Sequence, residues 1–369
     1  MPDSAPDSVP DSVRDTASHN DAGTAANAAT PKAGVHGLDV VAIGSPLLDV
    51  IEMATVEQVA EAGLEKGSMT LIDLPTATAV QATMASPRFV SGGSVANTTA
   101  GIAELGGSAG FVGAVADDEV GRTYTDHLRA SGVEFEPHVS ETATGDGLGT
   151  GRCVVLITED ADRTMGTYLG AASTLSPKGV PTPFIERASI VLLEGYLWDV
   201  PAAKEAMRHA AATAHDAEGS VALSLSDPFC VSRHQREFLD LLLDDVDVLL
   251  GNEEEVTMLF GQSSAEGAIA AAEETGLLVV MTRGAQGAVV LTARGPEEVP
   301  AARVSQVVDT TGAGDLFAAG FLFGLTHGMD PVESTRLGGV CAAEIISHTG
   351  ARPEGDLKAL AAHAGLLVS

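Results

Sequence analysis

The sequence predicts an α/β fold: a mostly parallel central sheet covered on both faces, accompanied by a small β-sheet. Three observations carry this expectation. Short β-branched runs alternate with helical stretches from Leu38 onward, one region breaks that alternation with two successive strand-like runs, and 45% hydrophobic content over 369 residues is ample for a core. Regular alternation implies right-handed crossovers, and therefore parallel strands with helices on both sides.

Residues 1–36 differ from the rest. Pro-Asp-Ser recurs at 2–4, 6–8 and 10–12, followed by Ala, Thr, Asn and Gly with almost no large apolar groups. Such a segment cannot bury enough surface to offset its conformational entropy, which predicts a disordered acidic tail. Residues 37–369 read as one domain. Buried strands are expected at Leu38–Ile43, Gly110–Val115, Ile190–Leu193, Val221–Leu225, Val246–Leu250 and Leu277–Met281, and helices at Val200–Ala217, Arg233–Leu243 and Ala265–Gly276. Thr150–Thr158 and Arg163–Leu169, joined by Glu159-Asp160-Ala161-Asp162, read as a hairpin without an intervening helix. An antiparallel hairpin does not belong to a doubly wound core. It is assigned to a substrate lid formed by parts of 49–73 and 150–170, with Ser68–Ile72 as a further short strand. The final segment, Pro331–Leu367, is expected to be helical.

Composition narrows the chemistry. Twenty basic residues against 51 acidic ones give a formal charge of −31, which argues against nucleic acid and anionic membranes as partners. No apolar run reaches the 18 or so residues needed to cross a membrane, and the acidic N-terminus has neither a basic segment nor an apolar signal region, so the cytoplasm is the expected location. Cys153, Cys230 and Cys341 are far apart, odd in number and without Cys-x-x-Cys spacing, which speaks against structural disulfides and zinc.

The most specific segment is Asp309-Thr310-Thr311-Gly312-Ala313-Gly314-Asp315, running into the apolar stretch Leu316–Leu325. Glycines at 312 and 314 remove Cβ obstruction, so backbone amides can approach a phosphate oxygen, and a helix starting there adds unsatisfied N–H groups and its positive dipole end. Asp315, in the first turn, is placed to accept the proton of an acceptor hydroxyl. The pattern reads as phosphoryl transfer to an alcohol; the competing reading is an ordinary strand-to-helix turn with a dipole-complementing acid. Upstream, Gly44-Ser45-Pro46-Leu47-Leu48-Asp49 follows a strand and Gly92-Gly93-Ser94-Val95-Ala96-Asn97 opens a helix. Asp49 suits a vicinal diol, because a carboxylate accepts two hydroxyl hydrogens; Gly92 and Gly93 let a sugar lie against the backbone, and Asn97 offers a donor and an acceptor. A strand-end turn at Asp49 and an N-cap at Ser94 are the structural alternatives.

Together, Gly-Gly-x-x-x-Asn near the start and Asp-Thr-x-Gly-Ala-Gly-Asp near the end resemble the two signatures of the ribokinase-like (PfkB-type) carbohydrate kinases, over nearly all of residues 38–355. The likeness is closest to the adenosine-kinase branch, through Gly44–Asp49, Thr150-Gly151-Arg152-Cys153, Ser224–Phe229 and His348-Thr349-Gly350. It implies a ribokinase-like three-layer sandwich and ATP-dependent phosphorylation of the 5′-hydroxyl of a purine nucleoside, adenosine above others. Asp49, Gly92, Gly93 and Asn97 are then expected to hold the ribose, Asp315 to act as base, and Gly312, Ala313 and Gly314 to form the anion hole. Leu47, Cys153 and Phe229 match apolar positions of the nucleobase pocket, and Arg163 a lid arginine that closes over phosphates. Asn252-Glu253-Glu254-Glu255 matches Asn-x-x-Glu, which implies that Glu255 orients water around Mg²⁺; an Asn252 helix cap is the alternative. Thr282, Gly284 and Gly287 match residues bordering ATP, against a tight turn between two strands. Asp309 and the backbone near Gly350 lie where relatives bind a monovalent cation such as K⁺.

Two departures bear on the substrate. Ser45 stands where the branch has Asn, and Thr311 where its eukaryotic members have Asn. A free-sugar kinase of the ribokinase or fructokinase type therefore stands as the alternative acceptor class, and a silent nucleoside sensor of the same fold as a remoter one. The expected partners are a small nucleoside or sugar and ATP, with a monomer or homodimer as the assembly.

Overall fold

The computed structural model describes residues 36–140, 148–160 and 162–367. The acidic segment, His36 apart, lies outside the described residues, as does Ala161 of the hairpin turn. A nine-stranded sheet forms the centre. From one edge its strands are Gly295–Val299, Ala288–Thr292, Leu278–Thr282, Val248–Asn252, Ser220–Ser224, Ala188–Glu194, Leu38–Ile43, Ala109–Val112 and Glu134–Phe135. All neighbours pair in parallel except the two pairings made by Ala288–Thr292. The central strands Ala188–Glu194 and Leu38–Ile43 are buried along their length except at Asp39, as a sheet covered on both faces requires.

Two apolar layers flank this sheet. One packs Ala203, Met207, Phe238, Leu242, Val256 and Ala268 against one face, from the helices Pro201–Asp216, Pro228–Asp245, Glu253–Leu259 and Ala265–Glu273. The other packs Val95, Ile102, Tyr124, Leu128, Phe321 and Leu337 against the opposite face, from Ser94–Glu104, Glu119–Ala130, Ala313–Thr326 and Pro331–Ile345. This is the expected three-layer α/β sandwich.

A separate five-stranded sheet has the order Met69–Leu71, Arg163–Tyr168, Gly151–Ile157, Leu47–Met53 and Arg88–Gly92. Two excursions of the chain build it, one between Leu38–Ile43 and the helix Ser94–Glu104, the other the hairpin Gly151–Tyr168, whose strands pair antiparallel. One face is covered by the short helices Val56–Glu61 and Leu74–Thr83 through Val59, Ala77, Val80, Val154 and Leu156. The other carries Cys153, Val155 and Ile157, with Ile51 and Met165 beside them. The strand Arg88–Gly92 was not anticipated; with exposed Arg88 and Phe89 it lacks the alternation of a half-buried strand.

Two local expectations are corrected and one alternative is set aside. Gly110–Val115 is not one strand: Ala114–Val115 leaves the large sheet and pairs with His138–Val139, the break falling at Gly113, where a Cβ would come within 2.5 Å of Pro46. Asp49 does not sit in a strand-end turn but inside Leu47–Met53. Pro331–Leu367 is two helices, Pro331–Ile345 and Leu357–His363. Gly350, at φ 115°, interrupts them, and Glu344 Oε1 accepts the amides of Glu354 (3.0 Å) and Gly355 (2.7 Å), fixing a loop where helix was expected.

Candidate active site

The parallel strands of the central sheet end at Glu194, Ser224, Asn252 and Thr282, and a cleft opens at that carboxyl edge, where doubly wound folds bind ligands. Ser94, Gly314 and Asp315 line one side of it; Ser224, Ser226, Asn252, Glu255 and Thr282 line the other. Residues more than 200 positions apart are thus brought together.

The helix Ala313–Thr326 opens on Gly312 in the left-handed region (φ 77°), and no side chain caps it. The Ala313 amide donates to Thr310 O at 3.1 Å, so of the three expected anion-hole residues this one already has a backbone acceptor. A Cβ at Gly314 would meet nothing within 4 Å, so packing gives no reason for that glycine. Asp315 receives the Ser94 hydroxyl on Oδ1 (2.7 Å) and the Asn97 amide on Oδ2 (2.9 Å), and its carbonyl accepts from Thr98 Oγ1 (3.1 Å). Ser94 is therefore no N-cap; Gly93 holds that position, and the Ser94 side chain is committed to Asp315. Burial pushes the Asp315 carboxyl above its ordinary value, opposed by the Asn97 and Ser94 hydrogen bonds and by the charge of Arg352. Asn97 is buried, and its Oδ1 has no hydrogen-bond partner among the described residues.

Asp49 approaches the same place from the small sheet. A Cβ on Gly92 would lie 2.3 Å from Asp49 Oδ2, so only glycine leaves room for this carboxylate; Gly93 is at φ 98°, and a Cβ there would lie 2.4 Å from Ser45 O. Burial pushes Asp49 up to about 7, with Arg352 and Arg163 opposing and Asp315 adding to the rise. Cys153 is the direct neighbour of Asp49 in the next strand, its thiol pushed up to about 12 by burial, and Leu47 lies opposite Gly92 and Gly151. Alternate residues of a strand share a face, so Leu47, Asp49 and Ile51 lie on one side. Phe229 is not brought in: it stands in the first turn of Pro228–Asp245 and is 73% exposed.

On the other side of the cleft Asn252 and Glu255 form a reciprocal capping box: Asn252 Oδ1 accepts the Glu255 amide (2.8 Å), while Glu255 accepts Asn252 N (3.0 Å) and Nδ2 (2.8 Å). The capping alternative is realised, and the same residues line the cleft. Burial pushes Glu255 up to about 7, against the Asn252 amide and with Asp227 and Glu254 adding. Thr282 lines the cleft, whereas Gly284 and Gly287 (φ 56° and 89°) form the turn between two antiparallel strands and do not. Asp309 accepts the amides of Thr311 (3.0 Å) and Gly350 (2.8 Å) and pairs with Arg163 of the small sheet. Arg163 thus bonds across to the glycine-loop segment.

Two charged residues at the site, buried Glu194 and half-buried Arg352, were not singled out from the sequence. Glu194, 1% exposed, accepts the amides of Ser45 (2.8 Å) and Val95 (3.4 Å), gripping both chain crossings between the sheets, and burial pushes it up to about 7. Arg352, in the loop after Pro331–Ile345, donates to Ser91 and Ala96. Rarity was the available signal, since an arginine near a glycine loop in so acidic a chain needs a reason.

Raised carboxyls make stability depend on pH. Between the ordinary and raised values the folded protein binds more protons at Asp49, Glu194 and Glu255 than the unfolded chain does, so stability must fall as pH rises through that window. The melting temperature of the ligand-free protein is expected to drop between about pH 4 and pH 7. A flat or rising profile in scanning calorimetry would contradict the burial of these three charges.

Known proteins match this architecture. Residues 67–356 match the model of the pfkB family carbohydrate kinases. The adenosine kinase of Sinorhizobium meliloti superposes with a TM-score of 0.81 at 38% identity, covering 89% of this chain and 99% of that one. A probable sugar kinase from Rhizobium etli CFN 42 gives 0.82 at 37% identity, covering 90% and 100%. The 5-dehydro-2-deoxygluconokinase of Listeria monocytogenes serotype 4b is 27% identical over 296 residues, 77% of this chain and 90% of that protein.

Proposed function

The chain belongs to the pfkB family of carbohydrate kinases and is a sugar or nucleoside phosphotransferase with ATP as donor, and we propose that its acceptor is the 5′-hydroxyl of a purine nucleoside, adenosine above others. The observation that carries this reading is the pairing of Asp315, bonded to Ser94 and Asn97, with Asp49 on an apolar strand face. Asp49 would take the ribose diol against Gly92 and Gly93, and Asn97 Oδ1, which lacks a partner, would accept a further hydroxyl. Half-buried Leu47, on the same strand face as Asp49, has apolar surface that a nucleobase would cover and a bare sugar would leave wet, and buried Cys153 neighbours Asp49 in the next strand.

Asp315 would accept the hydroxyl proton as the oxygen attacks the γ-phosphorus in line, and the first-turn amides would stabilise the charge on the transferred group. Gly314 leaves the approach unobstructed. Among the described residues no cluster of three His, Cys, Asp or Glu forms a metal cage, and both Glu255 oxygens are engaged by Asn252. That donor set fits Mg²⁺ carried on ATP, with Glu255 holding its water shell; bound there, the ion neutralises phosphate charge. The Arg163–Asp309 pair would let the small sheet act as a lid, excluding water whose attack would waste ATP. Because Asp309 already holds two amides and Arg163, the geometry lends K⁺ no support.

A free-sugar acceptor is the second reading, favoured by the exposure of Phe229, which leaves one wall of a base pocket unbuilt. ADP release with Mg²⁺ and ATP should be measured against adenosine, guanosine, inosine, cytidine, ribose, fructose and 5-dehydro-2-deoxygluconate at equal concentration. Selective turnover of purine nucleosides is expected; preference for a free sugar or sugar acid would overturn the nucleoside reading while leaving the transfer chemistry intact.

A further inference from the structure

We propose that Arg352 is a positioning residue for phosphoryl transfer, holding the Gly92–Val95 turn from both sides and supplying the half-buried positive charge that faces Asp49 and Asp315. The geometry is specific. Nε and Nη2 donate to Ser91 O (3.1 and 2.7 Å), Nη2 also to Ser91 Oγ (3.0 Å), and Nη1 to Ala96 O (3.1 Å). One planar fork thus spans the residues before and after the turn, which a point charge on a flexible stem cannot do. Between them the Tyr124 hydroxyl donates to Gly92 O at 3.1 Å. The turn needs such bracing: two glycines give it conformational freedom, Asp49 packs against Gly92, and Ser94 bonds Asp315. A shift of the turn would displace both carboxylates from one another.

The charge is the second half of the case. In a chain with 51 acidic and 20 basic residues, this guanidinium is half-buried with all three nitrogens hydrogen-bonded, and the titratable groups facing it are Asp49, Asp315 and Tyr124. Arg163 further acts on Asp49 and Glu194 lies near Asp315. Two carboxyls sharing a cleft each disfavour ionisation of the other, and burial disfavours both. Arg352 opposes that push at Asp49 and at Asp315, keeping available the ionised form that a base requires.

This inference rests on the roles proposed for Asp49 and Asp315, and its test uses Arg352→Met, of similar length without charge or fork, and Arg352→Lys, which keeps the charge. With adenosine and ATP, R352M is expected to lower kcat/KM for adenosine by about 10²-fold and to move the acid limb of its pH profile upward by about one unit, with KM for ATP changed less than about threefold. R352K should return the acid limb to its wild-type position while remaining at least about tenfold below wild type in kcat/KM, since it cannot span Ser91 and Ala96. An R352M profile that loses rate and melting temperature but keeps its acid limb would reduce Arg352 to a structural brace and overturn the proposal. Should R352M not fold, R352K decides: wild-type kcat/KM, or an acid limb displaced despite the retained charge, would overturn it. Absence of adenosine turnover in the wild type would instead strike the functional reading.

Discussion

Asp315→Asn is expected to lower kcat by at least about 10³-fold while leaving the adenosine dissociation constant within about threefold of wild type. The introduced amide is isosteric and can still accept the Ser94 hydroxyl bond. Its NH₂ would face the Asn97 amide that now donates to Oδ2, but Asn97 can turn over and present Oδ1, which has no partner. The fold and the acceptor contacts of Asp49 and Gly92 should therefore survive; the turned Asn97 offers the acceptor Nδ2 as a donor in place of Oδ1, a change within the threefold margin, and the large loss falls on proton acceptance. Single-turnover phosphorylation and calorimetric titration of adenosine, run on the same preparation, separate the two quantities. Turnover near the wild-type rate would remove Asp315 from the role of base; loss of binding in step with turnover would make it a ligand-holding residue.

Gly314→Ala should separate stability from activity in the opposite sense. Alanine is favoured over glycine inside a helix by about 1 kcal/mol, the added methyl would touch nothing within 4 Å, and the position has an ordinary negative φ, unlike Gly312. The variant is expected to melt at the wild-type temperature or slightly above it. The methyl would nevertheless stand in the cleft beside Asp315, where the transferred group must approach the first-turn amides, so kcat is expected to fall by about 10²-fold or more. Few substitutions of cleft-lining residues should stabilise a protein while disabling it, which gives this one its diagnostic value. Retained kcat would show that the phosphoryl group does not pass Gly314. A fall in melting temperature would show instead that the glycine serves packing.

The contrast among glycines shows how far residue type alone can be read. Gly92, Gly93, Gly312 and Gly314 share one expectation from the sequence, close approach of a ligand to the backbone. In the structure Gly92 makes room for Asp49, Gly93 and Gly312 supply positive φ, and Gly314 alone has no internal reason. Gly284 and Gly287 look equally ligand-facing in sequence yet serve a turn between antiparallel strands. Asn252 and Glu255 show the reverse, because the helix cap and the cleft lining are not rivals: the same two side chains do both. Phe229 was grouped with the base pocket by resemblance and lies in the open.

By itself the sequence determined the alternation of strand and helix, the parallel sheet it implies, the small second sheet, and the glycine-opened helix start at Gly312–Asp315, because these follow from local periodicity, chirality and backbone freedom. Only the tertiary structure decided which charges meet around Asp315. Asp49, Glu194, Asp315 and Arg352 come from four separate parts of the chain, and no local pattern announces that their burial and mutual fields act together. Electrostatic coupling depends on distance and desolvation, and both are set when the two sheets close on one another.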